Sequence, residues 1–195
     1  SAIDDSNNIQ SSRSGIVAMT FSTHHEDYVY GPHPRRIAPE KLRQWLGDPL
    51  KDRDFRYAFL SNSELRRTTQ FLPFFVLDLV REYLRDNDGK YKRIKACIDG
   101  RLSSIHRNYL RKELGTLFEE VVIDHVVKRD AEMARRPHDA KIDAPPILLM
   151  ADRLAHDIYS CEGSLRSFLE SKKRVEVDQM AYLRKLRELG SQLVS

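Results

Sequence analysis

The sequence predicts an α/β fold, in which a mixed sheet of about five strands carries helices on both faces. Two observations lead to this prediction. Short apolar or β-branched runs at 15–21, 93–99 and 119–127 alternate with segments whose apolar residues repeat at helical spacing. The strand, helix, strand order between 93 and 127 indicates a parallel pair of strands joined by a crossover.

The N-terminal part is predicted to be mostly strand. Residues 1–4, "GIVAMTF" (15–21) and "DYVYG" (27–31) are short apolar runs, and together they predict an antiparallel meander. Adjacent Asp4 and Asp5 follow the first run, either as turn residues after its end or as carboxylates that need a cation.

Helices are predicted where capping residues bracket an apolar repeat. Ser103 or Ser104 suits an N-cap, and Gly115 suits the C-terminal end of the same helix. Pro73 lies within a longer helical pattern and is expected to kink that helix or divide it in two. The predicted helices are 38–49, 61–86, 103–115, one that begins near Pro145 or Pro146, and an amphipathic C-terminal helix over 177–193.

Composition limits the class of protein. With 195 residues, 41% hydrophobic and 32% charged, the chain is long enough for one filled core and is not of the disordered type. The net charge of +4 permits nucleic-acid binding without requiring it. Two cysteines give neither a disulfide framework nor a zinc set, and no apolar run is long enough for a membrane span, so we expect a cytoplasmic protein without a membrane partner.

The domain prediction divides the chain into an α/β domain over 1–162 and a linker with the C-terminal helix over 163–195. The apolar positions of that helix recur every three or four residues. A homodimer or a protein partner that docks on this helix is therefore part of the expectation.

Acidic residues recur where predicted strands end. Asp4 and Asp5 close the first strand, Asp99 closes a later one, and Asp152 lies inside the apolar helical run "ILLMADRLA", where we expect it to be buried. Ligands gather at the carboxyl ends of parallel strands. Three or four carboxylates that meet there repel one another unless a divalent cation lies between them, and oxygen ligands favour Mg²⁺ or Mn²⁺.

Three short motifs, "IDDSNN", "KACIDG" and "ILLMADRLAHDIY", occur in this order. Together they resemble the RNase H-like superfamily, and most closely an uncharacterised family within it that opens with an Asp-Glu-Ser-Gly-Asn signature. The resemblance spans about residues 2–160 and implies an RNase H-like fold with its acids at Asp4, Asp5, Asp99 and Asp152. The chain departs from the signature by placing Asp5 where the family has Glu and Asn7 where it has Gly.

The favoured function is a metal-dependent nuclease or related phosphoryl-transfer enzyme that acts on RNA or DNA. Asp4, Asp99 and Asp152 would bind Mg²⁺ or Mn²⁺, with Asp5 as a fourth ligand or an outer partner. His156, one turn after Asp152, is a candidate for an outer contact. The segment "ARRPHDAK" precedes the Asp152 helix and offers cations for substrate phosphates. These cations are Arg135, Arg136 and Lys141.

Plainer interpretations remain open. Arg153 is the expected partner of Asp152 if no metal binds, Asp157 is expected to be solvated, and Asp124 is expected at a sheet edge or on the surface. One alternative function is a non-catalytic module of the same fold that binds nucleic acid or a protein partner. A second is a PIN-like nuclease, whose opening turn leads into a helix, so strand structure over residues 15–30 distinguishes the two folds.

Overall fold

The protein is described by a computed structural model that covers residues 1–6, 15–34, 54–61, 69–87, 90–100, 102–126, 141–161 and 173–191. The strands in these ranges are β1 (Ala2–Ser6), β2 (Gly15–Phe21), β3 (Gly31–Pro34), β4 (Asp54–Leu60), β5 (Arg93–Asp99), β6 (Glu120–Val126) and β7 (Lys141–Ala144). The helices are α1 (Leu72–Asp86), α2 (Ser104–Leu114), α3 (Pro146–Cys161) and α4 (Gln179–Ser191).

Five strands form a mixed sheet in the order β4-β2-β1-β5-β6. β2 runs antiparallel to both β1 and β4, whereas β5 runs parallel to both β1 and β6. This confirms the predicted α/β class, with helices on both faces, and the order is compatible with an RNase H-like arrangement. Residues 15–21 form a strand, where a PIN-like fold would place a helix.

The helices divide between the two faces of the sheet because side chains alternate along each strand. Ile3 and Ile98 point to a large core shared with α1, α2 and α4, and we call this side the α1 face. Ala2 and Cys97 point to the opposite side, where they pack against Ala151 of α3, and we call this side the α3 face.

Local sequence explains where the helices begin. The Ser103 hydroxyl accepts a hydrogen bond from the backbone N–H of His106, so Ser103 is the N-cap of α2, and Gly115 follows its end. Pro73 lies in the first turn of α1, where its missing N–H costs nothing. Pro73 therefore marks the beginning of this helix, and residues 62–68 of the predicted helix lie outside the described part.

The C-terminal helix packs into the same core as the sheet. The Tyr182 ring centroid lies 5.4 Å from that of Phe74 and 5.0 Å from that of Phe75, and Leu183 beside it is buried. Just before α4, the backbones of Tyr57 and residues 173–175 exchange hydrogen bonds of 3.0 and 2.8 Å. Residues 173–191 thus cover both α1 and the outer edge of β4. The intervening residues 162–172 lie outside the described part.

Part of the N-terminal prediction was wrong. Residues 25–28 form a short 3₁₀ helix, and β3 pairs with β7 in a separate two-stranded sheet, so the expected strand at 27–31 does not complete a meander. The third strand of that antiparallel group is β4, which the sequence analysis did not identify. The predicted helix at 38–49 lies outside the described residues. No helix in the described ranges has the length and apolar character needed to cross a membrane.

Candidate functional site

The candidate site lies at the carboxyl ends of the parallel strands β1 and β5. Ala2 stands opposite Cys97 and Ile3 opposite Ile98, so Asp4 and Asp99 follow the last paired residues at equivalent positions. Neighbouring strands lie about 4.8 Å apart, which makes these two positions close neighbours in the fold. The sequence placed both acids at strand ends, and the register shows that these two strands are parallel neighbours.

Strand alternation assigns the two adjacent acids to different faces. Asp4 follows Ala2 by two residues and so takes a position on the α3 face, as Asp99 does after Cys97. Asp5 follows Ile3 by two and takes a position on the α1 face. The side chains of Asp4 and Asp5 lie outside the described part of the structure. The backbone nevertheless places only Asp4 on the same face as Asp99.

A tight turn fixes the end of β5. Gly100 has φ of +106°, and a Cβ atom at this position would lie 3.0 Å from Cγ2 of Thr69. A left-handed φ and this close approach together require glycine. The backbone N–H of Ser103 donates to Oε1 of Gln70 at 3.0 Å, and this hydrogen bond ties the segment after the turn to the 3₁₀ helix at Thr69–Phe71. The half-buried Asp99 therefore stands on a firmly held backbone.

Cys97 lies on the α3 face two residues before Asp99 and is buried as a free thiol. Burial raises the pKa of this thiol to about 11, although nearby cations lower it. Burial therefore favours the protonated form of this thiol at neutral pH.

Helix α3 packs against β1 and β2 through one apolar side, which includes Ala151 and Ala155. Asp152 and His156 are exposed and lie one turn apart on this helix. The expectation that Asp152 is buried was wrong, because the sheet contacts the neighbouring stripe of α3. Because the Asp152 carboxylate is exposed, water can solvate its charge. The cost of burying a charge therefore gives no argument that Asp152 binds a metal.

The buried acid of α3 is Asp157, which is 3% exposed, and the expectation that it is solvated was wrong. Arg153 Nε donates to its Oδ2 at 3.0 Å, and a second contact of the same pair completes the ion pair. Asp157 follows Leu154 by three residues, so it borders the buried stripe and needs this cation. The expected partner of Asp152 is thus bound to a different carboxylate.

Asp124 does not join the acids at the strand ends. It is half-buried on β6, and its Oδ2 lies 3.0 Å from Lys95 Nζ on β5. This matches the sheet-edge position expected for it, and the neighbouring cation offsets its charge.

The predicted phosphate-binding cations precede α3 in the sequence. Arg135 and Arg136 lie outside the described residues. Lys141 begins β7, but its side chain is likewise outside the described part. Their role stays a prediction.

Within the described part of the chain, no group of three or more His, Cys, Asp or Glu side chains is arranged to hold a metal ion. Asp99 and Asp152 therefore do not form a cation site without a further ligand. The register places one further acid, Asp4, beside Asp99, and its side chain lies outside the described part.

The sequence analysis missed a cavity of about 540 Å³ at the opposite end of the sheet. Its walls include Phe21, Tyr28, Tyr83 and Tyr91, with Lys95 at one side. The Phe21 and Tyr83 rings stack at 3.9 Å. No local sequence motif predicts this cavity, because the residues that line it are far apart in sequence.

No protein-family model matches the chain, and neither the curated proteins nor the solved structures gave a match.

Proposed function

We propose that this chain is a divalent-metal-dependent phosphodiesterase that cleaves RNA or DNA at the carboxyl ends of β1 and β5. The observation that supports it is the register, which sets Asp4 and Asp99 at equivalent positions of neighbouring parallel strands and on one face. Two carboxylates about 5 Å apart repel by about 3 kcal/mol at an effective dielectric of about 20, so a cation between them is favoured.

The donor set fits a hard cation. Carboxylate oxygens suit Mg²⁺ or Mn²⁺, and Asp4 and Asp99 would hold the ion with Asp152 as the third acid. The bound ion would activate a water molecule and offset the charge that develops on the phosphate. Asp152 stands on the helix that packs against β1, and its exposure leaves it accessible from solvent. Asp5, on the other face, takes an outer role, and His156 stands beside Asp152.

The phosphates would be bound by cations, with Arg135, Arg136 and Lys141 proposed for this role. We place the protein in the cytoplasm, since the buried free thiol of Cys97 suits a reducing compartment. A homodimer or a partner at α4 belongs to the same proposal, and the exposed Met180 on that helix supports it.

A second candidate is a non-catalytic module that binds nucleic acid or a protein partner. The exposure of Asp152 favours it, because an acid in solvent needs no cation. Strand β2 in turn weighs against the PIN-like alternative.

Substitution of the two acids at the ends of β1 and β5 tests the proposal. Asp4→Asn and Asp99→Asn are expected to abolish cleavage of single-stranded, double-stranded and hybrid substrates with Mg²⁺ or Mn²⁺. Asp5→Asn is the matched control, one residue away on the other face, and an outer group typically costs only about 10–100-fold. The reaction is measured by gel separation of labelled products, with Ca²⁺ as an ion that binds but supports turnover poorly.

Metal binding has a readout that does not depend on turnover. Millimolar Mg²⁺ or Mn²⁺ is expected to raise the melting temperature of the wild-type protein, because an ion that binds only the folded state stabilises it. Asp99→Asn should melt higher than wild type without metal and lose this response. Full cleavage by Asp4→Asn would refute the proposal, and identical melting curves with and without metal would favour the non-catalytic module.

A further inference from the structure

Most cations on the described surface are balanced by a carboxylate. Arg93 pairs with Glu120 at 2.7 Å, and Lys92 pairs with Glu119 at 3.2 Å. The same holds for Lys95 and for residues on α1 and α4. Such pairs leave little net charge on those parts of the surface.

Helix α2 differs. Arg107, Arg111 and Lys112 have no carboxylate within 4.0 Å among the described residues, and we call these three the cationic face. Arg111 and Lys112 are exposed, whereas Arg107 is half-buried. The Nε atom of Arg107 is covered and has no hydrogen-bond partner in the described part of the chain.

The acid on this helix points elsewhere. Glu113 lies 3.4 Å from Arg81 on α1, so it neutralises a cation on the neighbouring helix. Residues 107, 108, 111 and 112 share one side of α2 at spacings of three and four, and the remaining member is the amide Asn108. One side of α2 therefore carries cations and an amide with no opposing charge.

The cationic face starts at the same edge of the sheet as the candidate site, but α2 packs on the α1 face whereas Asp4 and Asp99 take positions on the α3 face. A nucleic acid that reaches both would have to cross this edge. The N-cap of α2, Ser103, lies three residues after Gly100, at the edge where Asp99 ends β5. Because β5 and β6 are parallel, α2 must return along the sheet, away from that edge. At 1.5 Å per residue, Arg107 and Arg111 stand about 6 Å and 12 Å along the helix from its N-cap.

We propose that the cationic face binds the phosphate backbone of the nucleic acid whose scissile phosphate lies at Asp99. This inference rests on the proposed function and names where the substrate is held. Guanidinium and ammonium groups bind phosphate oxygens, and unopposed cations release counterions when they do so. The face has no exposed aromatic ring to stack on a base, because Tyr109 next to it is half-buried. Binding should therefore be tolerant of sequence.

The expected size of the effect follows from counterion release. Each lost phosphate contact reduces the slope of log K against log salt by about 1, so losing all three should reduce it by about 2–3. The affinity at low salt should fall at least tenfold. In cleavage, KM should rise with little change in kcat, since these residues stand away from the strand-end acids.

The experiment compares two triple glutamine variants of the full chain. The first replaces the three residues of the cationic face. The second removes the same charge from exposed cations that have carboxylate partners at the other end of the sheet, namely Arg85, Lys92 and Arg93. Binding of a labelled oligonucleotide is measured by fluorescence anisotropy without divalent ions, over a range of salt concentrations, and melting curves verify that both variants fold.

Loss of affinity and of salt slope in the first variant alone would support the inference. Equal losses in both variants would show a general charge effect and overturn it. If the first variant binds and cleaves nucleic acid as well as wild type does, the inference about the cationic face is overturned. The proposed function would then remain intact. If the wild-type protein binds no nucleic acid at low salt, both the inference about the cationic face and the proposed substrate class are wrong. If polyglutamate binds as tightly as nucleic acid, an acidic protein partner replaces the phosphate backbone.

Discussion

Removal of the C-terminal segment is expected to unfold the protein, because residues 173–191 complete its main core. Val175, Tyr182 and Leu183 are buried there, and Tyr182 packs on Phe74. Burying a large side chain stabilises by about 1.5–3 kcal/mol, so the three together contribute roughly 5–9 kcal/mol. A domain is stable by only about 5–15 kcal/mol in total. Truncation also removes the backbone hydrogen bonds that cover the β4 edge at Tyr57.

Single substitutions give the same test on a measurable scale. Tyr182→Ala is expected to cost about 3–5 kcal/mol, as for other large-to-small changes of a buried aromatic residue. Its hydroxyl donates to Asp78, and burial with this carboxylate raises the pKa of Tyr182, so it stays protonated. Tyr182→Phe should therefore cost about 1–2 kcal/mol.

Met180 on the same helix provides the control, since it is 57% exposed and Met180→Ala should change stability by less than about 0.5 kcal/mol. Urea unfolding followed by circular dichroism measures all of these variants. A chain that ends at residue 172 yet keeps the wild-type urea midpoint would refute the reasoning and make α4 an appendage.

Two further predictions concern the site edge. Gly100→Ala should cost about 1–3 kcal/mol in urea unfolding, because φ of +106° strains alanine and the new methyl group meets Thr69, whereas Gly190→Ala, with open space around it, should not destabilise. Equal midpoints for the two variants would contradict this. Burial lowers the pKa of His106, so below its unfolded pKa of about 6.5 the unfolded chain takes up a proton that the folded one resists. The free energy of unfolding should thus fall as pH drops from 7 to 5, and it should fall less in His106→Gln. If wild type and His106→Gln lose stability in parallel over this range, protonation of His106 is not the cause.

The sequence predicted those elements whose local pattern agrees with their place in the fold. Strand β2 is a nearly continuous apolar run, and the Ser103 cap and Gly115 bracket α2. Strand β4 was missed although its sequence, DFRYAFL, is mostly apolar, and it contains the charged residue Arg56 at a buried position. Arg56 is only 2% exposed and is held by Asp86 at 2.7 Å and by the carbonyl of Phe55 at 2.6 Å. A buried arginine of this kind depends on partners 30 residues away, which no local pattern reveals.

Helix α3 shows the same limit for the candidate site. Its sequence is apolar on most sides, so periodicity alone does not say which acid the sheet covers. The packing of Leu154 and Ile158 on β2 and β4 decides it, burying Asp157 with its partner Arg153 and leaving Asp152 in solvent. The positions of acids within strands could be predicted because the period of two is fixed, whereas the phase of a helix depends on what it packs against.

Asp4 and Asp5 therefore take positions on different faces of the sheet. A strand cannot present consecutive side chains on one face, so at most one of Asp4 and Asp5 can join Asp99. The register selects Asp4, which takes a position on the face covered by α3, the helix that carries Asp152, while Asp5 takes a position on the face of Ile3 and α1. If adjacency alone placed both acids, either could serve as the ligand. Strand geometry places these two acids on different faces. A difference in cleavage activity between Asp4→Asn and Asp5→Asn therefore reports on the position of the carboxylate at the site, because both variants remove the same local charge.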